Sequence, residues 1–356
     1  MNKKIFNKTQ LEIVICTVLL TVIGFIGLFS TSKNSGYEEF TKQLIWFVIS
    51  VIIMIIFIKI DYNTLAKISP YLYGGAILML IGVLFTSAVN GAKSWFSLGF
   101  FSFQPGEFSK VFVILFLSYS ITKICKHRDD INKPLKLLKI LAIGLFPVFL
   151  IALEPDLGTS IAYIVALVLM LFVSGINKKY IISAILMIII LIPILYFFIL
   201  PEHAVNRINV YLNPNLDPRG IGYNIIQSKI AVGAGKLFGM GFGNGTQTQL
   251  GYLYPKTTDF IFSAIGEEFG FFVCGIIVSL YVMLLTKAIG VAKNSQDDLG
   301  SFIAIGIVRN IIISCNWKYR NDNRLITYNW YTITIYKLWR KFVNDKLYIN
   351  RIVIKY

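Results

Sequence analysis

Runs of about 20 apolar residues set the first constraint on this chain, because a hydrocarbon core about 30 Å thick takes about that many helical residues to cross. They lie at 11–30, 42–59, 70–89, 107–124, 137–153, 157–175, 180–200 and 260–286, with a less apolar one at 299–315. In lipid the backbone has no water to bond, so such runs must fold as helices. The expected fold is therefore an all-α polytopic membrane protein. Composition agrees. Of 356 residues, 56% are hydrophobic and 15% charged, against about 25% charged in a soluble domain.

The net charge of +16 would suggest nucleic acid in a soluble protein. Here most Lys and Arg residues sit in short gaps between apolar runs, where they set topology. No Gly-rich phosphate loop, zinc-finger spacing or basic-aromatic strip is present, so no nucleic-acid role is expected. Lys3, Lys4 and Lys8 precede the first run; Lys126, Arg128, Lys133 and Lys136 lie in 125–136; Lys178 and Lys179 lie in 176–180. Alternating spans put all three groups on one side, which places the N-terminus in the cytoplasm. No small-residue cleavage site follows the first run, so it is read as a retained span. Cys16, Cys125, Cys274 and Cys315 are scattered without CxxC spacing and read as free thiols.

Two segments then face outward. One is 90–106. The other, 201–258, is the longest polar stretch, and its mix of Gly, Tyr and Gln with short apolar runs predicts a folded loop with a short amphipathic helix around 222–235. Four clusters of ionisable residues lie in or beside spans, where charge is costly and tends to be functional. In Gln104-Pro105-Gly106-Glu107-Phe108-Ser109-Lys110, the spacing puts Glu107 and Lys110 on one helix face, where they can pair. In Glu154-Pro155-Asp156-Leu157-Gly158-Thr159, Asp156 can cap the next helix, and a capped hairpin explains the motif. The outer loop supplies Arg207, Arg219, Lys229 and Lys236, suited either to a phosphate-bearing headgroup or to a solvated surface. It also supplies Gly222-Tyr223, Gln227-Ser228 and repeated glycines from Gly233 to Gly245. The fourth cluster is Thr257-Thr258-Asp259-Phe260, followed by Gly266-Glu267-Glu268. By position alone Asp259 reads as a helix N-cap; an aspartate among aromatics at a membrane edge can also act as a general base.

In this order the motifs resemble the SEDS family (shape, elongation, division, sporulation) over about residues 10–308. The resemblance rests on Gly91-Ala92-Lys93-Ser94-Trp95, the Gln-Pro-x-Glu-x-x-Lys run, Glu-Pro-Asp-Leu-Gly-Thr, Gly-Tyr-x-x-x-Gln-Ser, and Thr-Asp-Phe-Ile-Phe with Gly-Glu-Glu. The run from Asn244 to Leu250 looks more like the elongation (RodA) branch than the division (FtsW) branch. The family plan implies ten transmembrane helices, of which about eight to nine are present here, with one large extracellular loop between spans seven and eight. It implies a membrane enzyme of the bacterial plasma membrane that polymerises lipid II into peptidoglycan. Asp259 matches the family's essential aspartate and would be catalytic. Lys93, Trp95, Glu107, Lys110, Glu154, Asp156, Arg207, Tyr223, Gln227 and Ser228 would bind substrate. Gly158, Glu267 and Glu268 would be structural. Tyr254-Pro255-Lys256-Thr257 departs from the family's Pro-Glu-x-His pattern.

The resemblance implies a class B penicillin-binding transpeptidase and the cell-shape machinery as partners. It calls for no cofactor and leaves room for a divalent cation. Two other readings fit a multi-span chain with intramembrane charges: a lipid II flippase and a non-catalytic scaffold.

Residues 1–308 form the family-like domain, and 309–356 read as an aberrant basic tail. Residues 316–356 are rich in Asn, Lys, Arg, Tyr and Trp with no apolar block, whereas the family ends in two more spans around Pro-Leu-Pro-Phe-x-Ser-Tyr-Gly-Gly-Ser-Ser. Read from the second base of each codon, every Trp becomes Gly. Residues 332–342 can then decode as Pro-Leu-Pro-Phe-Ile-Ser-Tyr-Gly-Gly-Ser-Ser. A frameshift near 308–310 is expected, which would leave this copy without the two closing spans of the family and unstable or inactive.

Overall fold

Each apolar run folds as a helix in the computed structural model, which describes residues 8–86, 93–97, 102–154, 156–199, 202–253, 260–295 and 297–317. The helices are α1 (Lys8–Thr31), α2 (Glu38–Lys59), α3 (Tyr62–Val83), α4 (Pro105–Ile124), α5 (Pro134–Leu153), α6 (Leu157–Val173), α7 (Lys178–Ile194), α8 (Glu202–Leu212), α9 (Ile221–Ala234), α10 (Thr246–Gln249), α11 (Ile261–Lys293) and α12 (Asp298–Trp317). A small antiparallel hairpin, β1 (Phe96–Ser97) with β2 (Ser102–Phe103), precedes α4. By length and composition α1, α2, α3, α5 and α11 can each cross a membrane. The chain is an integral membrane protein. Among its described residues the outer segment expected to hold one helix holds α8, α9 and α10, and the helix read at 222–235 is α9.

The helix α4 is enclosed by protein, packing on α3, α5, α6 and α12. That is why it tolerates buried Glu107, Ser109, Lys110, Ser118 and Ser120: these side chains meet protein, not lipid. The main core joins α1, α4, α6, α11 and α12 through residues such as Ile13, Leu117, Met170, Leu284 and Ile303. In lipid, close packing holds helices together more than hydrophobic exclusion does. The helices α1 and α11 run antiparallel, tied near one end by Glu12 Oε2 to Lys287 Nζ at 2.5 Å. Near the other, Ser30 Oγ donates to Glu268 Oε1 at 2.7 Å.

Two expectations are corrected. The third span starts at Tyr62, well before the expected residue 70, so Pro70 lies inside the helix. A proline there removes the bond to the carbonyl four residues back. Ser69 Oγ restores it by donating to Ala66 O at 2.6 Å. Pro147 of α5 is accommodated the same way, with Tyr73 Oη donating to Ile143 O at 2.9 Å. Second, the span read as continuous from 260 is broken at Gly270, whose φ of 79° and ψ of −177° are not helical. Only glycine adopts that conformation without strain.

Candidate functional site

The start of α4 is where the first two sequence clusters meet. Gln104 ends an extended segment and Pro105 opens the helix, a position where its missing N–H costs nothing. One turn in, Glu107 and Lys110 form a buried ion pair, with side chains 6% and 5% exposed. Gln104 Nε2 donates to Asp156 Oδ2 at 2.7 Å. Asp156 caps α6, accepting from Thr159 N at 3.0 Å and Thr159 Oγ1 at 2.7 Å. Tyr163 Oη donates to Gly106 O at 2.9 Å. A Cβ on Gly106 would lie 3.1 Å from Thr159 Cγ2. These links fix the starts of α4 and α6 side by side, with Gly158 in the first turn of α6.

Glu154 closes α5 beside this cluster. It is 1% exposed, and among the described residues neither carboxylate oxygen has a hydrogen-bond partner. Burial, reinforced by the neighbouring Asp156 charge, pushes its carboxyl up to about 8. A small cavity lies deeper, lined by Lys110, Val113, Leu117, Gly144 and Tyr163. It has room for about one water. Lys93 is exposed and Trp95 half-buried on the approach to β1. The rings of Phe103 in β2 and Phe108 in α4 stand 4.3 Å apart, seating the hairpin on the start of α4.

A second polar centre forms where the outer segment meets the break in α11. Glu267 is fully buried and accepts four bonds at the head of α10. They come from Gln247 N at 2.7 Å, Thr248 N at 2.9 Å, Thr248 Oγ1 at 2.6 Å and Thr246 Oγ1 at 3.3 Å. Glu268 accepts from Ser30 Oγ and, at 2.9 Å, from Gln249 Nε2. The glycine-rich run lies against the break. Met240 N and Gly241 N donate to Glu267 O and Glu268 O at 2.9 and 3.0 Å, and Phe271 N and Phe272 N donate to Lys236 O and Leu237 O at 2.9 and 3.1 Å. A Cβ on Gly239, whose φ is +84°, would lie 2.2 Å from Glu268 O. Gly235 and Gly239 thus lie against backbone, whereas a Cβ on Gly245 would meet the Glu267 side chain and those on Gly233 and Gly243 would meet nothing.

The remaining candidates are distributed along the outer segment. Arg207 belongs to α8, and its side chain lies outside the described ones. Tyr223 and Gln227, four apart on α9, are half-buried. Ser228 Oγ donates to Ile225 O of its own helix at 2.8 Å. Arg219, Lys229 and Lys236 are exposed. Asp259 lies outside the described residues. On either side of it in sequence, Leu253 and Phe260 are buried in one cluster with Ala231 of α9 and Ala264 of α11. The two sequence clusters at 233–245 and 266–268 are thus one structure, and those at 104–110 and 154–159 another.

Sequence reasoning missed Ser30 and Tyr163, and gave Thr248 and Gln249 no role beyond their place in the run from Asn244 to Leu250. The polar triplet Ser30-Thr31-Ser32 ending an apolar run was the available signal for the first; Tyr163 carries none, because its partner Gly106 lies 57 positions away. Among the described residues, no group of three or more His, Cys, Asp or Glu side chains could hold a metal ion.

Comparison with known proteins adds to this geometry. The family model described as cell cycle protein, FtsW/RodA/SpoVE, matches residues 10–317. The chain is 34% identical over 313 residues to peptidoglycan glycosyltransferase MrdB of Escherichia coli strain K12, covering 86% of this chain and 83% of that one. It is 35% identical over 316 residues to stage V sporulation protein E of Bacillus subtilis strain 168, covering 85% and 84%. The fold resembles a chain from a study of structural coordination of polymerization and crosslinking by a peptidoglycan synthase complex. There the TM-score is 0.75 at 20% identity, over 93% of this chain and 97% of that one. It also resembles the Thermus thermophilus rod shape determining protein RodA, with TM-score 0.66 at 18% identity over 92% and 95%.

Proposed function

Because the chain belongs to the FtsW/RodA/SpoVE family, we propose that it is a membrane peptidoglycan glycosyltransferase that polymerises lipid II for cell elongation. The observation that carries this reading is the buried Glu107–Lys110 pair beside Asp156, Gln104 and Glu154. Bare structural support does not call for that many ionisable groups inside a helical bundle. In the proposed reaction Asp259 takes the proton of the acceptor sugar's 4-hydroxyl. The oxygen attacks the anomeric carbon of the donor, the bond to pyrophosphate breaks, and undecaprenyl pyrophosphate leaves with the electron pair. Inversion of the α-linked donor gives a β-1,4 bond. Lys110 and Arg207 would hold the pyrophosphate, and Glu107 would orient Lys110. Lys93, Trp95, Tyr223, Gln227 and Ser228 would line the path of the substrate. The partner would be a class B penicillin-binding transpeptidase, and the N-terminus would lie in the cytoplasm.

The test is polymerisation of purified lipid II in proteoliposomes. Asp259→Asn should lower the rate by on the order of 10²–10⁴, the usual worth of a general base. Full polymerisation by that variant would remove the mechanism. Lipid II transfer between leaflets without any glycan product would favour the flippase reading instead.

We also propose that 309–356 is decoded in a shifted frame. The polar composition after residue 316 supports this, as do the Trp codons that turn to Gly in the second frame. The helix α12 itself continues through 308–310 to Trp317. Resequencing decides: a single-base insertion or deletion near 308–310 is expected, and an intact ancestral frame overturns it.

A further inference from the structure

We infer that an anionic phospholipid binds where α7 leaves the bundle, with its headgroup on the lysines at the starts of α5 and α7 and its acyl chains in the cleft between α6 and α7. The two helix starts are locked together. Asn177 N donates to Asn132 Oδ1 at 2.7 Å, Asn132 Nδ2 donates to Gly175 O at 3.4 Å, and Tyr180 Oη donates to Asn132 O at 3.3 Å. This joint gathers Lys133, Lys136, Lys139, Lys178 and Lys179. Lys133 and Lys136 share one carboxylate, that of Asp130, each at 2.8 Å. Lys139, Lys178 and Lys179 are exposed, and no acidic side chain among the described residues pairs with them. Across 125–139 and 176–180, seven Lys and Arg residues stand against Asp129 and Asp130. Both helices begin here, so their positive dipole ends add to the same potential. Lys139, deeper along α5, can extend its amine back to the surface. A basic patch at this level draws an anionic headgroup.

Below the joint α7 stands apart. Only 174–177 separate α6 from α7, and helices joined by so short a turn normally pack as a hairpin. These do not. Six successive positions of α7, 182–187, are all exposed. At about 3.6 residues per turn they point in every direction, so no helix packs on that stretch. On α6, Ile161, Val168 and Phe172 are spaced to form one stripe, and it too is open, with Phe172 65% exposed. Phe172 lies about one turn from Gly175, directly below the joint. The cleft is thus apolar along its length and basic at its closed end, the pattern of an amphiphile with an anionic head. Acyl chains fill such a gap between apolar helices, and the lysines select which lipid supplies them. The site is separate from the candidate catalytic one and independent of the glycosyl-transfer reading: α5 starts at the joint and closes 20 residues later at Glu154, about 30 Å away.

The test is photolabelling of the full chain in phosphatidylcholine nanodiscs that carry a trace of probe with a diazirine on its acyl chain. The probe is either phosphatidylglycerol or phosphatidylcholine, and labelled peptides are quantified by mass spectrometry. The phosphatidylglycerol probe should label 161–172 and 182–190 several-fold more than the phosphatidylcholine probe, while α2, largely exposed along its length, takes both alike. Replacing Lys139, Lys178 and Lys179 together by Gln should remove that preference; replacing all three by Arg should keep it. An unchanged unfolding midpoint reports that each variant is folded. Equal labelling by the two probes overturns the inference, and so does a preference that survives the Gln replacements. Loss of the preference on adding inorganic phosphate, at an ionic strength held constant with chloride, would mean a site for free phosphate and overturns it as well.

Discussion

The two buried polar centres use carboxylates in opposite ways. At the break in α11 the carboxylates are met by donors: Glu267 accepts four bonds, and Glu268 takes Ser30 and Gln249. Beside α4 and α6, Glu107 pairs with Lys110 and Asp156 is capped and bridged, yet Glu154 is buried with both oxygens unpartnered. A satisfied carboxylate fixes structure. An unsatisfied one costs stability and persists where something other than stability retains it. The first centre joins the outer segment to the bundle; the second is the one proposed above as the working site.

This contrast can be broken by substitution. The largest effect is expected from Glu267→Ala, which strands the amides of Gln247 and Thr248 and the Thr248 hydroxyl. The loss should be about 3–5 kcal/mol, judged from about 1–3 kcal/mol for each orphaned buried group. Thermal unfolding in nanodiscs measures it. Next comes Lys110→Met, which removes the cation paired with buried Glu107 and should cost about 3 kcal/mol. Adding Glu107→Leu should recover most of that, because replacing both members of a buried pair is far milder than removing one. Ser30→Ala should cost about 1–2 kcal/mol, one bond to a charged acceptor. The smallest change is expected from Glu154→Gln, within about 1 kcal/mol below pH 4.5, where Glu154 is protonated in both states, since it breaks no bond. If Glu154→Gln proved as costly as Glu267→Ala, the distinction between joint and working site would collapse.

The same residue sharpens the contrast through pH. Folded Glu154 keeps its proton up to about 8, against an ordinary 4.5, so between those values the folded state binds a proton that the unfolded state has released. Stability from this group is therefore full below 4.5 and falls as pH rises towards about 8. Unfolding midpoints across that range should decline for the native chain. In Glu154→Gln that component of the slope should vanish.

The membrane class, the helices of the apolar runs and the local pairs were legible in the sequence, because they follow from chain-local rules. Twenty apolar residues span a bilayer, residues three apart share a helix face, and an aspartate before Leu-Gly-Thr caps a helix. Glu107–Lys110 and Asp156–Thr159 are of this kind. The rest was decided by contacts across hundreds of positions. Nothing around residue 30 announces Glu268, and nothing around Gly239 announces a partner backbone at Gly270. The break in α11 is the clearest case. A mostly apolar run with scattered glycines reads as a continuous span, and only the Lys236–Gly241 segment, by accepting and donating the bonds the break sets free, makes the interruption stable. Burial of Glu154 was hidden for the same reason: local sequence puts a carboxylate at a turn, but only packing decides whether water reaches it.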